Sequence, residues 1–246
     1  MTDLAGATPE RASVGAIVVA GGSGARFGGT KQFALLGGRT VVERSVAAAR
    51  SVAGWVVLVV PAGLENGGAA RTGADAVVVG GATRSASVRA GLAALPGRVD
   101  LVVVHDAVRP LAGASLFREV VAAVAAGADG ALPGCPVSDT VKRVGQDGRV
   151  IQTLDRDGLV LVQTPQAFRA DVLRSAHQAG AEATDDAALV EAAGGRVALV
   201  AGDPANLKIT HPHDLAVAEA LLAAATPASV AGDPPGADTP PRPGES

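Results

Sequence analysis

Aromatic side chains are almost missing from this sequence. Its 246 residues include no tyrosine, one tryptophan and four phenylalanines, and its 21 basic and 24 acidic residues leave a formal net charge of only −3. Proteins that bind nucleic acid without sequence preference need a positive surface and aromatic rings on which bases stack. The composition therefore excludes that class of function, and we expect no nucleic-acid partner.

Cysteine and long apolar runs are also scarce. The single cysteine, Cys135, excludes an intrachain disulfide and a cysteine-rich zinc site, and its Pro-Gly-Cys-Pro setting predicts a turn. The apolar runs are far shorter than the roughly 18 residues that span a bilayer, and no signal-peptide pattern is visible at the amino terminus. With 48% hydrophobic residues for a core, we expect a soluble, cytoplasmic protein with no membrane partner.

Lysine is rare as well: Lys31, Lys142 and Lys208 are the three lysines among the 21 basic residues. A composition rich in alanine, glycine, proline and arginine suggests a GC-rich genome, in which lysine drifts to arginine wherever either residue serves. The lysines that remain therefore mark candidate positions for a compact, mobile ammonium, which a planar guanidinium does not replace. The alternative is that the three positions arose by chance.

Two polar segments flank one continuous region. We expect residues 1–12 to form a flexible tail and residues 227–246, which carry six of the 15 prolines, to form a disordered tail. Residues 13–226 contain no linker-like break, which predicts a single domain.

Strand-like and helix-like stretches alternate through this domain. Buried-strand patterns cover residues 13–20, 55–60, 75–79 and 101–105, and helical spacing covers residues 40–52, 83–95, 115–126 (with Ser115 as N-cap) and 211–224. Strands separated by helices indicate βαβ units. We therefore expect an α/β fold with a Rossmann-like, mostly parallel twisted sheet and helices on both faces. Ligands bind beyond the carboxyl ends of such strands, so the loops after Ala20, Val79 and Val104 are the places to look for chemistry.

Residues 137–163 interrupt this alternation. Apolar and polar residues alternate there, and two Asp-Gly steps, at Asp147 and Asp157, are typical of hairpins. The segment predicts an inserted antiparallel β-arm. Because a two-stranded arm is marginally stable alone, we expect it to pack on a second subunit and to build a homodimer.

A glycine-rich loop, GGSGARFGGTK over residues 21–31, follows the first strand. Glycines let backbone N–H groups turn toward an anion and let a phosphate approach closely. The dinucleotide fingerprint fails because Phe27 stands where it requires glycine, and the P-loop pattern fails because Thr30 and Lys31 have the wrong order. The loop therefore indicates phosphate binding of another kind, or else a simple turn in a chain with 32 glycines.

This loop, with Lys31 at its end, resembles the signature loop of sugar-phosphate nucleotidyltransferases. Further segments resemble, in order, the 2-C-methyl-D-erythritol 4-phosphate cytidylyltransferases of isoprenoid-precursor synthesis. They are GGATRSASVRAGL (80–92), HDAVRP (105–110), DTVKR (139–143), LDRDGL (154–159), TPQAF (164–168), TDDA (184–187) and NLKIT (206–210). The resemblance covers about residues 13–220, and all three lysines lie inside its motifs. One departure is Ala82, where the family often carries an acidic residue.

The resemblance implies that the chain transfers a cytidylyl group from CTP to 2-C-methyl-D-erythritol 4-phosphate and releases pyrophosphate. The attacking phosphate is already anionic, so the reaction requires no strong general base. The difficulty lies in bringing two polyanions together and in stabilising charge on the α-phosphoryl oxygens. We expect positioning and electrostatic stabilisation by cationic side chains, with Mg²⁺ as cofactor.

The resemblance also assigns roles to individual residues. Arg26 and Lys31 would stabilise the transition state, while Arg156 and Lys208 would position the substrate. The nucleotide-binding residues would be Ala20, Gly21, Gly22, Ser23, Gly24, Ala25, Gly81, Arg84, Ser87, Asp106 and Ala107. The acceptor-binding residues would be Asp106, Arg109, Thr140, Arg156, Thr164 and Thr184, with Asp106 also the candidate metal ligand. In the resembled family the arm is exchanged between subunits, so Thr140 and Arg156 would reach the neighbour's substrate.

Simpler interpretations stand beside these. Asp106 can be a turn or N-cap residue, Arg156 can pair with Asp155 or Asp157, and His105 is more typical of a packed strand end than of a base. No zinc site is expected. For the whole chain, the alternatives are a ribitol-5-phosphate cytidylyltransferase and, in a different class, a non-catalytic nucleotide-binding regulatory module.

Overall fold

A computed structural model of the chain describes residues 12–21, 30–66, 71–178 and 180–225. The strands in these ranges are β1 (Val14–Val19), β2 (Leu35–Leu36), β3 (Arg39–Thr40), β4 (Trp55–Val60), β5 (Ala76–Val79), β6 (Leu101–Asp106), β7 (Gly130–Pro136), β8 (Val141–Val144), β9 (Val150–Leu154), β10 (Val160–Val162), β11 (Gln166–Arg169) and β12 (Val197–Ala201). The α-helices there are α1 (Val41–Arg50), α2 (Arg84–Ala94), α3 (Ala114–Ala125), α4 (Ala170–Gln178), α5 (Asp186–Ala192) and α6 (Pro212–Ala225). A 3₁₀ turn covers Lys31–Phe33.

Eight of these strands form the central sheet of the described chain. Their order runs β5, β4, β1, β6, β11, β7. β10 pairs with the same edge of β7 as β11 does, and β12 pairs with the opposite edge of β7. β1 pairs in parallel with β4 and β6, as do β4 with β5 and β7 with β12. β10 and β11 run antiparallel to their neighbours. The predicted mostly parallel α/β sheet is confirmed.

Helices cover both faces of this sheet, as predicted. Successive side chains of a strand point to opposite faces, and β1 shows the result. Ala16 and Val18 lie in a buried apolar cluster with α1 and α3, whereas Ile17 lies in a second cluster with α2, α4 and α5. All three residues are fully buried, so β1 forms the middle of a three-layer core.

Helix α3 begins one residue before the predicted start, and the prediction that Ser115 is its N-cap is wrong. Gly113 is the N-cap, in extended backbone and without a side-chain hydrogen bond. Its carbonyl already accepts hydrogen bonds from the N–H groups of Leu116 and Phe117, which places Ser115 inside the first turn.

The inserted arm is shorter than the predicted 137–163. β8 and β9 form a separate two-stranded antiparallel sheet, with an irregular register between Arg143 and Val144. After Leu154 the chain turns at Gly158 (φ +84°) and returns to the central sheet, because β10 pairs with β7. The alternation of the segment stops at the continuous apolar run of residues 159–162, and β10 lies within that run. Cys135 lies in strand β7 and not in the predicted turn.

Part of the predicted organisation falls outside the described residues. The expected terminal tails, apart from Ala12, are not among them, nor are residues 22–29 of the glycine-rich loop. No helix in the described part of the chain is both long and apolar enough to cross a bilayer.

Candidate active site

The candidate site lies where β1 and β6 end side by side. Their register pairs Val19 with Asp106, so the glycine-rich loop leaves the sheet next to that carboxylate. A cavity of about 400 Å³ opens at this edge, and we call it the first cavity. Its lining includes Ala20, Gly21, Lys31, Gln32, Gly81, Ala82, Thr83, Arg84, Ser87, Asp106, Val108 and Lys208. Its size and position are typical of ligand sites in open α/β sheets.

Glycines allow the backbone before helix α2 to lie close to that helix. A Cβ atom on Gly81 would lie 2.4 Å from Cβ of Ala86, and one on Gly80 would lie 2.7 Å from Oγ of Ser87. Ser87 is 2% exposed and donates its hydroxyl to the Thr83 carbonyl at 2.9 Å. These contacts bring backbone and the start of α2 to the cavity wall, and the partial positive charge of a helix N-terminus favours an anion there.

Three charged side chains meet in the lining of the first cavity, and we call Arg84, Asp106 and Lys208 the charge trio. Asp106 accepts from Nζ of Lys208 at 2.7 Å and lies 3.5 Å from Nε of Arg84. Burial raises the pKa of Asp106, but the positive charges of Lys208 and Arg84 outweigh it and hold the pKa of this carboxyl well below its usual range. Asp106 is therefore ionised at neutral pH.

A second cavity, of about 220 Å³, lies on the other side of the charge trio. All three members of the trio line both cavities. The other lining residues of the second cavity are Arg109, Val162, Gln163, Thr164, Gln166, Thr184 and Asp185. Two ligands placed in the two cavities would therefore meet at the trio, with two cations and one carboxylate at their junction.

A buried polar scaffold holds Arg109 in the second cavity. Nη1 of Arg109 donates to the Asn206 carbonyl at 2.8 Å. The Asn206 side-chain amide donates in turn to the Thr164 carbonyl at 2.9 Å and to Oε1 of Gln163 at 3.1 Å. Neither Asn206 nor Gln163 was among the predicted site residues. A signal for Asn206 was present, since it is the first residue of the NLKIT segment.

His105 is a packed strand-end residue, as its position predicted. It is fully buried, and its ring centroid lies 4.9 Å from that of Phe117. Nε2 lies 3.2 Å from the Arg109 carbonyl and Nδ1 lies 3.2 Å from Oγ1 of Thr164. A carbonyl only accepts, so Nε2 carries the proton and Nδ1 accepts from the Thr164 hydroxyl. Burial lowers the pKa of His105 to about 4, which keeps the ring neutral.

The other predicted site residues fall into distinct groups. Residues lining the first cavity are Ala20, Gly21, Lys31, Gly81, Arg84, Ser87, Asp106 and Lys208, and Arg109, Thr164 and Thr184 line the second. Gly22, Ser23, Gly24, Ala25 and Arg26 lie outside the described residues.

Ala107, predicted as a nucleotide contact, lines neither cavity. Its N–H donates to the Val19 carbonyl at 2.9 Å and its carbonyl accepts from the Ser45 hydroxyl at 2.7 Å. Both backbone groups are therefore used inside the fold.

Thr140 and Arg156 are exposed on the arm, and neither lines a cavity within one chain. The Arg156 guanidinium donates to the Ser138 carbonyl. A single chain therefore does not bring these two residues together with the charge trio.

Among the described residues that line the first cavity, Asp106 alone carries a carboxylate. Across the same described ranges, no three His, Cys, Asp or Glu side chains group closely enough to enclose a metal ion. This donor set does not fit a metal cage made of protein ligands. Asp106 can supply one protein ligand to a cation whose other ligands are phosphate oxygens and water, an arrangement common for Mg²⁺.

Comparison with known proteins identifies the family of this chain. The family model of 2-C-methyl-D-erythritol 4-phosphate cytidylyltransferase, IspD, matches residues 14–224. The 2-C-methyl-D-erythritol 4-phosphate cytidylyltransferase of Nocardia farcinica is 46% identical over 217 residues, which are 85% of this chain and 94% of that protein. The crystal structure of the enzyme of that name from Thermus thermophilus has 38% identity and a TM-score of 0.72, and the match covers 84% of this chain and 98% of that one.

Several relatives are longer than this chain. The bifunctional enzyme IspD/IspF of Clavibacter michiganensis subsp. michiganensis is 48% identical over 223 residues, which are 85% of this chain but 54% of that protein. The chain thus spans about half the length of the bifunctional relatives that it matches. The resemblance seen in the sequence motifs is confirmed, and the chain belongs to the 2-C-methyl-D-erythritol 4-phosphate cytidylyltransferase family.

Proposed function

We propose that this chain transfers the cytidylyl group of CTP to 2-C-methyl-D-erythritol 4-phosphate, giving 4-diphosphocytidyl-2-C-methyl-D-erythritol and pyrophosphate. Its membership of the family supports the reaction. The observation that carries the proposal for these residues is the charge trio, because it lines both cavities at once. A reaction that joins two phosphorylated molecules needs cations at the place where they meet.

The first cavity suits the nucleotide. Its wall combines the glycine backbone at Gly21 and Gly81 with the N-terminus of α2, and Lys31 and Lys208 supply positive charge. Backbone N–H groups and a helix N-terminus favour phosphate, and the ammonium groups neutralise charge that grows on the α-phosphoryl oxygens as the bond to pyrophosphate breaks.

The second cavity suits the acceptor. Arg109 presents a guanidinium held in place by Asn206, and Thr164 and Thr184 lie in the same lining. Guanidinium and hydroxyl groups are the partners expected for a polyol phosphate. The acceptor phosphate then approaches the α-phosphorus across the charge trio, and its own negative charge makes it the nucleophile without a base.

Mg²⁺ is part of the proposal. When bound with the substrate it would reduce the negative charge of the phosphate oxygens. Asp106 is its candidate protein ligand. The side-chain cations supply the remaining positive charge, and Lys31 and Lys208 orient the phosphates.

A homodimer built through the arm completes the site in this proposal. Val144, Val150 and Ile151 of the hairpin are each more than half exposed, and apolar side chains on a two-stranded hairpin need a partner to be covered. An arm that crosses to a second subunit would bring Thr140 and Arg156 to that subunit's second cavity. Arg156 would then position the acceptor phosphate.

Pyrophosphate release tests the proposal directly. The protein is incubated with CTP, Mg²⁺ and either 2-C-methyl-D-erythritol 4-phosphate or ribitol 5-phosphate, with ATP, GTP and UTP as control nucleotides. We expect release with CTP and the methylerythritol acceptor, and loss of release with excess EDTA. Turnover of ribitol phosphate alone would establish the alternative acceptor. CTP binding without pyrophosphate release from any acceptor would support a regulatory module.

A further inference from the structure

We propose that His177 is a positioning residue for Arg84 and acts through the buried carboxylate of Asp186. The effect on turnover rests on the proposed function, whereas the effect on the Arg84 side chain does not. His177 lies in the last turn of α4 and lines neither cavity, so it does not touch a ligand in either of them.

The connection runs through three side chains drawn from three helices. Asp186, the first residue of α5, is fully buried. Its Oδ2 accepts from Nη1 of Arg84 at 2.7 Å and its Oδ1 accepts from Nε2 of His177 at 3.0 Å. Because a carboxylate only accepts, Nε2 of His177 carries the proton of that bond. Each oxygen of Asp186 thus has its own donor.

Asp186 holds Arg84 more firmly than Asp106 does. Its contact with Asp186 is 2.7 Å, whereas its contact with Asp106 is 3.5 Å. The coulombic attraction of Asp186, together with that of Asp106, outweighs burial and raises the pKa of Arg84. The direction of the guanidinium is therefore set mainly by Asp186 and only weakly by Asp106.

By donating to Oδ1 of Asp186, His177 leaves Oδ2 as the oxygen that accepts from Arg84. An oxygen left without a donor in a fully buried site costs free energy. If His177 no longer donated to Oδ1, the fork of Arg84 could satisfy both oxygens itself, since guanidinium and carboxylate form bidentate pairs readily. Arg84 would then turn toward Asp186 and lose its contact with Asp106.

Such a turn would matter because Arg84 is shared by the two cavities. Its Nη2 is buried and has no hydrogen-bond partner among the described residues. The Arg84 side chain as a whole is 23% exposed, so other parts of it are accessible from the cavities that it lines. His177 therefore keeps the guanidinium in its place at the cavities by holding Asp186 in one orientation.

Kinetics separate positioning from stability. His177→Leu removes the donor and replaces the imidazole with an apolar side chain of similar volume. His177→Met is a second variant of this kind, used if the first does not fold. His177→Gln restores an N–H donor. We expect kcat/KM to fall at least tenfold in His177→Leu and to recover to within threefold in His177→Gln. Leu173→Val, at a fully buried position of the same helix, is the matched control: it lowers the melting temperature and leaves kcat/KM of the folded enzyme unchanged.

A double-mutant cycle tests whether the effect passes through Arg84. In an Arg84→Ala background, His177→Leu should change kcat/KM by less than twofold, because there is no guanidinium left to misplace. An equal loss in both backgrounds would overturn the proposal, and so would wild-type kinetics in His177→Leu.

Nuclear magnetic resonance supplies a readout that needs no activity. The side-chain Nε–H signal of Arg84 is assigned by its absence in Arg84→Lys. We expect slow rotation of the Arg84 guanidinium in the wild type and His177→Gln, and faster rotation or a shifted signal in His177→Leu. Should the wild type not turn over CTP, the proposed function fails, and this signal still decides the role of His177: an unchanged signal in His177→Leu overturns it.

Discussion

Asp106 accepts a 2.7 Å hydrogen bond from Nζ of Lys208, which lies 102 residues further along the chain. The side chain of Asp106 is 11% exposed and that of Lys208 is 47% exposed. The carboxylate thus anchors the ammonium while one side of the lysine remains open. A phosphate entering the first cavity meets a positive charge whose position is already fixed, which is the condition for electrostatic stabilisation without reorganisation.

Lys208→Ala should therefore lower kcat roughly 10² to 10³-fold, the loss typical of a removed group that stabilises transition-state charge. The same change leaves Asp106 without its closest cation, so its negative charge would also repel phosphate. Steady-state pyrophosphate release and a far-ultraviolet circular dichroism spectrum measure activity and fold together.

Lys142→Ala is the matched control for charge, because Lys142 donates to Oγ1 of Thr153 on the arm and lines neither cavity. It should retain the activity of the wild type. A kcat for Lys208→Ala within fivefold of the wild type would contradict the role assigned to this lysine.

Gly81→Ala should weaken nucleotide binding at least tenfold. The new Cβ would lie 2.4 Å from Cβ of Ala86 and 3.2 Å from the backbone carbonyl carbon of Ala86. The segment around Gly81 must therefore move away from α2, which alters the cavity wall. Gly97→Ala is the control, because its new Cβ meets no atom within 4 Å. Titration calorimetry with CTP compares the two variants, and equal dissociation constants would show that the loop is not part of the nucleotide site.

Most of the fold can be predicted from the sequence because the information is local. Glycines that mark the site follow strand β1 in the sequence, and Thr40 and Glu43 form a capping box at the start of α1. The end of the arm could not be located, because the apolar run of residues 159–162 fits a strand of the arm as well as a strand of the central sheet. Its return to the central sheet depends on pairing with β7, a contact that no local pattern records.

Some residues of the candidate site can likewise be predicted from the sequence, and others cannot. Asp106 and Lys208 lie in motifs and could be named from the resemblance. Asp186 also lies in a motif, TDDA, but its role could not be predicted, and neither could that of His177. Both roles depend on each other and on Arg84, which is 102 residues from Asp186. A histidine on a buried helix face indicates a core position, and its hydrogen-bond partner is visible only once α4 and α5 are packed together.

His105 should make the fold sensitive to acid. Burial lowers its pKa to about 4 in the folded chain, whereas the ordinary value is about 6.5. The unfolded chain then binds the extra proton between these two values, so the free energy of unfolding falls as the pH drops through this window, by up to about 3 kcal/mol. Urea denaturation at pH 7 and pH 4.5 measures that fall. His105→Gln has no imidazole to protonate, so its free energy of unfolding should fall less between pH 7 and pH 4.5. A fall as large as that of the wild type would contradict the prediction.

Mixing two inactive chains tests whether the arm completes a neighbouring site. Arg156→Ala removes the arm residue and Lys31→Ala removes a cavity residue. If arms are exchanged, a heterodimer of the two variants has one site with both residues intact and one with neither. Random assortment makes half of the dimers heterodimers, so the mixture should recover about one quarter of wild-type activity.

The control mixture combines Lys31→Ala with Arg84→Ala, two changes in the first cavity of one chain. Every site in that mixture lacks one of the two residues, so no activity should return. Heterodimers isolated through two different affinity tags remove any doubt about assembly. If the isolated Arg156→Ala and Lys31→Ala heterodimer is inactive, each site is built from a single chain, and Arg156 must reach the second cavity of its own subunit by a movement of the hairpin.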